Sequence, residues 1–358
     1  QKLGLNQVTY AEEILKGVEE DARRRFPKAD PHLTDKIHDG GVWADQGVIA
    51  GCAGGLFDNI AEAADILRGK FTGSGAFSFD VYPTSVPVSL ELMKLGATAD
   101  LLESGAIIKP SFCGPCFGAG DVPANNGLSL RHTTRNFPNR EGSKPGEGQF
   151  AGVCLMDARS IAATAANGGI LTSAEKYADD YVVPEYHFDD SPYRARVYNG
   201  FGHPQPETAL IMGPNITDWP KMYELGENLL LELAAVIHDP VTTTDELIPS
   251  GETSSYRSNP LKLATFALSR RDPEYVGRAK NTQLYEKARL AKESEALELI
   301  DGVLSSIKGI GGYESLSWDD IEIGSAIYAN KPGDGSAREQ AASCQRVLGG
   351  LANITQEY

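Results

Sequence analysis

Over the first half of the chain, short apolar runs alternate with longer segments whose apolar residues recur at helical spacing. The short runs at residues 47–50, 76–82 and 106–109 indicate strands. Strand–loop–helix order of this kind predicts an α/β domain, in which ligands bind beyond the carboxyl ends of the strands. The same pattern predicts helices over residues 9–26 (with Thr9 and Glu12 as a capping box), 56–67, 89–104 and 156–166.

Two of these predicted strands lead into glycine-rich loops that carry cysteine. Cys52 follows the first strand, and Cys113 and Cys116 lie in Ser111–Gly120 after the third. Two thiolates at this spacing bind one metal centre or close a small disulfide. Zinc requires a fourth ligand, whereas a cubane iron–sulfur cluster on three thiolates leaves one iron open as a Lewis acid. From these residues alone, a redox disulfide, a structural zinc site and an iron–sulfur cluster remain open.

Composition limits the classes of function. The chain has 358 residues, enough for two domains, and its 41% hydrophobic and 23% charged content is typical of a soluble globular protein. The sequence shows no apolar run of transmembrane length and no signal-peptide pattern at its start. Five cysteines without regular pairing predict a reducing compartment, the cytoplasm. A net charge of −16 argues against nucleic acid as a partner, but arginines focused in a cleft can still bind a small anion.

Two arginines flank a short loop after the cysteine motif. Arg135 and Arg140 are separated by residues that include Phe137 and Pro138, which predicts a fixed, partly buried loop. Arginines held in this way suit bidentate recognition of carboxylates, and the alternative is a pair of surface salt bridges. Of the other cysteines, Cys154 and Cys344 have helix-like apolar neighbours, which predicts that they belong to the core.

The proline-containing, aperiodic stretch at 186–212 predicts a linker between a first domain at 1–185 and a second at 213–358. The predicted helices of the second domain lie near residues 221–237, 258–270 and 283–307. Its polar motifs are Thr243-Thr-Asp245, Arg257 and Gly333-Asp-Gly-Ser336-Ala-Arg338. The last motif precedes a helical run, so Ser336 is either a helix cap or an activated hydroxyl beside Arg338.

Taken together, these motifs resemble the aconitase family, the superfamily of iron–sulfur hydro-lyases that includes aconitase and 3-isopropylmalate dehydratase. Cys113-Gly-Pro-Cys116 is similar to the paired cluster cysteines of that family, and Cys52 lies where the first cluster cysteine is expected. The resemblance implies a 4Fe–4S cluster on these three residues. It also implies an α/β/α domain followed by a linker and part of a swivelling β/α domain.

The resemblance extends to residues that contact substrate. It implies that Ser336 is the catalytic base, that Asp245 is a second catalytic residue, and that domain closure controlled by the linker assembles the site. The implied ligands of a hydroxy di- or tricarboxylic acid are Arg135, Arg140, Arg257 and Arg338. The family also carries further amino-terminal domains, so the comparison predicts that they are missing partners and that this chain alone is inactive.

Several positions depart from the family pattern. The usual Gly-Ser-Cys-Thr-Asn-Ser is Ala50-Gly-Cys-Ala-Gly-Gly55, and Thr134, Glu246 and Ala337 replace Asn, His and Ser. These differences make the chain more similar to aconitase-like hydratases of unassigned substrate than to aconitase itself. The altered substrate positions favour one rival hypothesis, a non-catalytic iron–sulfur sensor or binding protein. The Cys113/Cys116 spacing, with Pro115 between the cysteines, leaves a second rival, a thiol–disulfide oxidoreductase.

Overall fold

The computed structural model describes residues 5–134, 140–177, 181–249, 251, 253–335 and 337–357. The chain divides into two compact units, Gln1–Pro206 and Glu207–Tyr358. The division lies within residues 186–212, whose role as a linker stays a prediction. Within the described residues, no helix is long and apolar enough to cross a bilayer.

Unit 1 is built on a five-stranded parallel sheet with strand order β5-β4-β3-β6-β7, beside a short antiparallel pair, β1 and β2. Its strands are β1 (Ile37–His38), β2 (Gly41–Val42), β3 (Gln46–Ile49), β4 (Ser78–Val81), β5 (Ile107–Ile108), β6 (Leu128–His132) and β7 (Gly152–Leu155). Its helices are α1 (Leu5–Arg25), α2 (Gly51–Gly54), α3 (Phe57–Leu67), α4 (Val86–Leu95), α5 (Ala97–Ser104), α6 (Ala158–Ala165) and α7 (Ser191–Arg196).

The order of the strands determines where this unit can hold a ligand. From β3 the chain proceeds outward through β4 to β5, and it then returns to the other side of β3 to form β6 and β7. All five strands stay parallel, but the side of the sheet on which the chain adds strands changes between β3 and β6. In open α/β sheets, ligands bind at the carboxyl ends of the strands at such a point. The central strands are buried, as Ile49, Phe79 and Leu130 show, and α6 packs against β3 and β6 while α5 packs against β5.

Several predictions for unit 1 are corrected by the structure. Helix α1 begins at Leu5, so Thr9 lies inside the helix and is not its cap. The helix predicted at 89–104 is two helices, because Gly96 has a left-handed backbone (φ +84°) that ends α4. Cys154 is partly buried on strand β7, where no strand was predicted.

Unit 2 contains a three-stranded parallel sheet with order β12-β10-β8 and a separate parallel pair, β11 and β9. Its strands are β8 (Asn228–Ile237), β9 (Thr242–Thr243), β10 (Ile321–Ala329), β11 (Pro332–Asp334) and β12 (Gly350–Thr355). Its helices are α8 (Thr244–Leu247), α9 (Pro260–Ala264), α10 (Tyr275–Ala291), α11 (Ser294–Glu298), α12 (Asp301–Lys308) and α13 (Arg338–Val347). Fully buried Tyr275 and Ala264 mark its core, to which Cys344 of α13 also belongs.

The helix predicted near 221–237 is wrong, because residues 228–237 form strand β8. Their apolar run suits either structure, and nine residues of β8 pair with β10, which is distant in sequence. Only Pro260–Ala264 of the predicted helix 258–270 is α-helical. The predicted helix 283–307 divides into the end of α10, α11 and α12, and Lys292 with φ +58° causes the first break. The α/β class with parallel sheets is confirmed.

Candidate functional site

The cysteine loops follow parallel strands at the carboxyl edge of the sheet in unit 1. Cys52 is the second residue of α2, which starts directly after β3. After β5, Cys113 directly precedes a single 3-10 turn, Gly114–Cys116, and Cys116 is the last residue of that turn. Cys116 is 4% exposed, whereas Cys52 and Cys113 are exposed. One thiol therefore packs into the protein and two face outward.

The sulfur of Cys116 lies against the start of α2. A Cβ atom on Gly51 would lie 2.5 Å from Sγ of Cys116 and 3.3 Å from Oγ1 of Thr134. The hydroxyl of Thr134, just after β6, is in turn 3.3 Å from Sγ of Cys52. The two cysteine loops and the end of β6 thus meet at Gly51, where the left-handed backbone (φ +79°) and the absence of a side chain make room for the sulfur.

The three thiols also lie within electrostatic range of one another. Although Cys113 is exposed, partial burial of its thiol raises the pKa to about 11, the neighbouring Cys116 and Cys52 raise it further, and Arg140 opposes the shift. Deprotonating all three would concentrate negative charge, which a bound cation relieves, and soft thiolate sulfur favours zinc, copper(I) or iron–sulfur clusters. Within the described residues, no three His, Cys, Asp or Glu side chains are arranged around a single ion. A cluster can bind each thiolate through a different iron, so it does not require the three sulfurs to surround one ion.

Two ion pairs close the base of the cysteine loop. Lys109 Nζ lies 3.0 Å from Oδ1 of Asp80 and 2.5 Å from Oδ1 of Asp121, and Lys109 and Asp121 flank the loop at 111–120. Although burial opposes it, hydrogen bonds to the two carboxylates raise the pKa of Lys109 above its usual value. Burial raises the pKa of Asp80, and it is also the main cause that raises the pKa of Tyr82 to about 12. The ring of Tyr82 covers the Lys109 ammonium at 5.5 Å.

Two arginines contact the cysteine turn through its backbone. The half-buried Arg140 donates from Nε to the carbonyl of Cys116. The buried Arg131 of β6 donates from Nη1 to the carbonyl of Pro115 at 2.7 Å. Arg140 was predicted from the sequence as a substrate ligand, and Arg131 was missed. The only feature of the sequence that indicates Arg131 is its charge within a run that otherwise forms a buried strand. Arg135 lies outside the described residues.

In unit 2, two of the predicted motifs come together. Strand β9, which ends at Thr243, pairs in parallel with β11, so the Thr243-Thr-Asp245 motif lies beside the glycine-rich segment at 333–335. A Cβ atom on Gly335 would lie 2.0 Å from Oγ1 of Thr244, so that contact requires glycine. Asp245 forms an ion pair with Arg270 at 2.9 Å, a partner that the sequence analysis missed. Ser336 lies outside the described residues.

The two predicted arginines of unit 2 lie on opposite sides of helix α13. Arg338, its first residue, is exposed, donates to the carbonyl of Gly335 at 3.0 Å, and lines a cavity of about 190 Å³ with Lys331 and Asn353. Arg257 lines a second cavity of about 210 Å³ and reaches Oε1 of Gln340 at 3.4 Å. Each arginine therefore lines a separate cavity.

Two departures from the family pattern have structural explanations. A Cβ atom would lie 1.9 Å from the carbonyl oxygen of His132 if placed on Gly54, and 2.3 Å from that of Tyr82 if placed on Gly55. Side chains are thus excluded where α2 packs against the ends of β4 and β6. Glu246 accepts hydrogen bonds from the backbone and hydroxyl of Thr243, forming the capping box of α8.

Fold and site together define an α/β domain whose three thiols lie on two loops at the switch point of a parallel sheet. Residues 2–163 match the model of the aconitase family (aconitate hydratase). The large subunit of 3-isopropylmalate dehydratase from Nitratidesulfovibrio vulgaris is 33% identical over 148 residues, 40% of this chain and 35% of that protein. The same subunit from Mycolicibacterium smegmatis is 37% identical over 133 residues, 37% of this chain and 30% of that protein.

A relative with a different named substrate matches equally well. The large subunit of 2,3-dimethylmalate dehydratase from Eubacterium barkeri is 36% identical over 135 residues, 37% of this chain and 31% of that protein. The chain spans about a third of the length of these curated relatives. The predicted resemblance to the aconitase family is confirmed over residues 2–163, which contain the three cysteines and Arg140. The roles of Asp245, Arg257, Ser336 and Arg338 stay predictions.

Proposed function

We propose that this chain carries the cluster-binding domain of an iron–sulfur hydro-lyase, which removes water from a hydroxy di- or tricarboxylic acid and adds it back. The observation that carries the proposal is the proximity of three thiols: Cys116 packs on Gly51 beside Cys52, both lie within electrostatic range of Cys113, and Arg140 is bonded to the carbonyl of Cys116. The family match over residues 2–163 supports it, as do relatives named as dehydratases.

In this proposal the three cysteines hold a 4Fe–4S cluster. When bound to three thiolates, such a cluster supplies an open iron that polarises the substrate's C–O bond. The thiol of Cys116 is already packed against α2 and needs little rearrangement, whereas the exposed thiols of Cys52 and Cys113 can adjust to the cluster.

The remaining residues bind and orient substrate or move a proton. The Arg140 guanidinium, fixed by its bond to the Cys116 carbonyl, orients one carboxylate, and Arg135 does the same by resemblance. Arg257 and Arg338 bind further carboxylates. Ser336 removes the proton from the carbon next to the one that bears the hydroxyl. Asp245, held by Arg270, serves as a second catalytic group, and its neighbour Thr244 packs against Gly335.

We also propose a reducing cytoplasmic setting, in which all five thiols, free in the structure, stay reduced. The relatives are named large subunits. We therefore propose that a second polypeptide completes the active enzyme and that the isolated chain binds its cluster without turning over substrate.

The proposal is tested by anaerobic reconstitution of the full chain with iron and sulfide. We expect visible absorption and an iron content that accord with a cubane cluster, and a large loss of both in Cys52→Ala. Cys154→Ala is the matched control, because Cys154 lies partly buried on strand β7, away from the two cysteine loops. Equal iron in wild type and Cys52→Ala, or no cluster in wild type, would contradict the proposal.

The rival functions are separated by two further observations. A thiol–disulfide oxidoreductase needs a thiol with a lowered pKa, whereas burial raises the pKa of Cys113, which disfavours Cys113 as its reactive thiol. A non-catalytic sensor would hold the cluster without binding hydroxy acids. The reconstituted chain is therefore heated with malate-type diacids and with tricarboxylates. A rise in unfolding temperature that depends on acid concentration favours the hydro-lyase, and no rise favours the sensor.

A further inference from the structure

Arg131 is a buried cation that the proposed chemistry does not use. It lies in β6, 2% exposed, and burial lowers the pKa of its guanidinium. Holding a charge in the interior is costly unless its hydrogen bonds are satisfied and opposite charge lies nearby. The contacts of Arg131 therefore have to compensate for the burial of its charge.

The guanidinium bridges the central sheet and the cysteine loop. On the sheet side, Nε donates to Oγ of Ser129 at 3.0 Å and Nη2 donates to Oε1 of Gln46 at 3.2 Å. Gln46 and Ser129 are direct partners in the pairing of β3 with β6. On the loop side, Nη1 donates to the carbonyl of Pro115 at 2.7 Å and Nη2 also donates to that of Asp121.

The two carbonyls belong to the middle and the end of the cysteine loop. Pro115 lies between Cys113 and Cys116, and Asp121 is the residue where the loop leaves the site. Asp121 is also bound by Lys109 at the start of the loop. The guanidinium thus holds the middle and the end of the loop, while the Lys109 ion pair closes its base.

The charge of Arg131 also faces the cysteines. Within the described part of the chain, its four hydrogen-bond acceptors are neutral oxygens. Its positive charge is stabilised through space by Glu141, then by Asp121 and Cys116. A negatively charged group bound to the thiolates would add to this stabilisation, because electrostatic attraction is strong in a buried site.

We propose that Arg131 is a positioning residue of the cysteine site. It fastens the Cys113–Cys116 turn to strands β3 and β6 and provides a fixed positive charge beside the thiolate-bound group. The first part concerns the chain alone, and the second part rests on the proposed function. Outer contacts that orient the ligands of a metal centre commonly matter nearly as much as the ligands.

The test compares the full-length wild-type chain with Arg131→Met, which removes the charge and the hydrogen bonds, and Arg131→Lys, which keeps the charge. The matched control is Leu33→Ala. Leu33 is fully buried in a separate apolar cluster with Leu15 and Phe150, so this variant lowers stability without contacting the cysteine turn.

The first readout is hydrogen exchange in the metal-free chain, over the peptide that contains Cys113 to Ala119. The amides of Cys116, Phe117 and Ala119 donate within this turn. We expect about tenfold faster exchange there in Arg131→Met, as for the loss of a hydrogen bond's worth of local stability. Arg131→Lys should be intermediate, and Leu33→Ala should match wild type. Equal exchange of the turn in wild type and both arginine variants would overturn the proposal.

The second readout is iron and sulfide per folded chain after anaerobic reconstitution, followed by the rate of loss to a chelator. We expect cluster affinity to fall about 10- to 100-fold in Arg131→Met and less in Arg131→Lys. Retention equal to that of Leu33→Ala would overturn the role toward the cluster. If wild type binds no cluster, the proposed function fails, and the exchange experiment still decides whether Arg131 positions the turn. If Arg131→Met does not fold, Arg131→Lys decides both readouts.

Discussion

Gly51 offers the most direct quantitative test of how the two cysteine loops meet. An alanine there meets two penalties. Its left-handed backbone (φ +79°) costs a residue other than glycine about 1–2 kcal/mol. In addition, its Cβ would lie 2.5 Å from Sγ of Cys116, so the sulfur or α2 must move, and overpacking of this kind costs about 1–3 kcal/mol. We expect Gly51→Ala to lower the free energy of unfolding by about 2–5 kcal/mol.

Gly69 provides the matched control, because its backbone is also left-handed (φ +67°) but no atom lies within 4 Å of its Cβ position. Gly69→Ala should therefore lose only the backbone part, about 1–2 kcal/mol. Each kcal/mol corresponds to about 2–4 °C in unfolding temperature for a unit of this size. The assay is thermal unfolding of the metal-free chain, followed by iron content after reconstitution. If both variants lose equal stability and bind equal iron, Cys116 does not pack on Gly51 as described.

Two further outcomes test neighbouring parts of the structure. Because the pKa of Tyr82 is raised to about 12 in the folded state, its contribution to stability is complete below the usual tyrosine pKa of 10.0 and is lost as pH rises through about 12. Between these pH values the free energy of unfolding, measured by urea titration, should fall by about 2–3 kcal/mol more in wild type than in Tyr82→Phe. An equal fall in the two proteins would contradict the raised pKa. In unit 2, Gly335→Ala should destabilise the fold through its clash with Thr244, and adding Thr244→Ala should recover part of the loss. If the double variant is less stable than Gly335→Ala by the full cost of Thr244→Ala alone, the two residues are not in contact.

The parts of the fold that follow local patterns were predictable, and the parts set by distant pairing were not. Strand β3 and helix α3 combine apolar periodicity with glycine boundaries, so their sequence alone indicates them. Strand β8 has an apolar run that suits a helix equally well, and its pairing with β10, about ninety residues later in the chain, determines the outcome. Gly96 shows a similar limit, because its left-handed conformation divides a continuous helical pattern into α4 and α5.

In the candidate site, the cysteines could be predicted from the sequence, whereas the residues that support them could not. Cys113 and Cys116 are recognisable because two cysteines at this spacing indicate a metal site or a disulfide. Arg131 and Lys109 have no motif, and their function depends on carbonyls and carboxylates that only the folded sheet brings together. Glu246 illustrates the opposite case, in which a position compared with a family residue proves to be part of a helix capping box.

The charges around the cysteine loop explain how an acidic chain can hold an anionic centre. The protein carries a net charge of −16, yet Arg131, Arg140 and Lys109 all contact the loop that carries Cys113 and Cys116. The local field depends on these fixed cations and not on the sum over the chain, because distant surface charges are screened by solvent and salt. Lys109 is neutralised by Asp80 and Asp121 at the loop's base, so the two arginines supply the positive charge that faces the sulfurs. Arginine suits this position because it stays charged when buried and its planar guanidinium presents five donors, against three from a lysine ammonium.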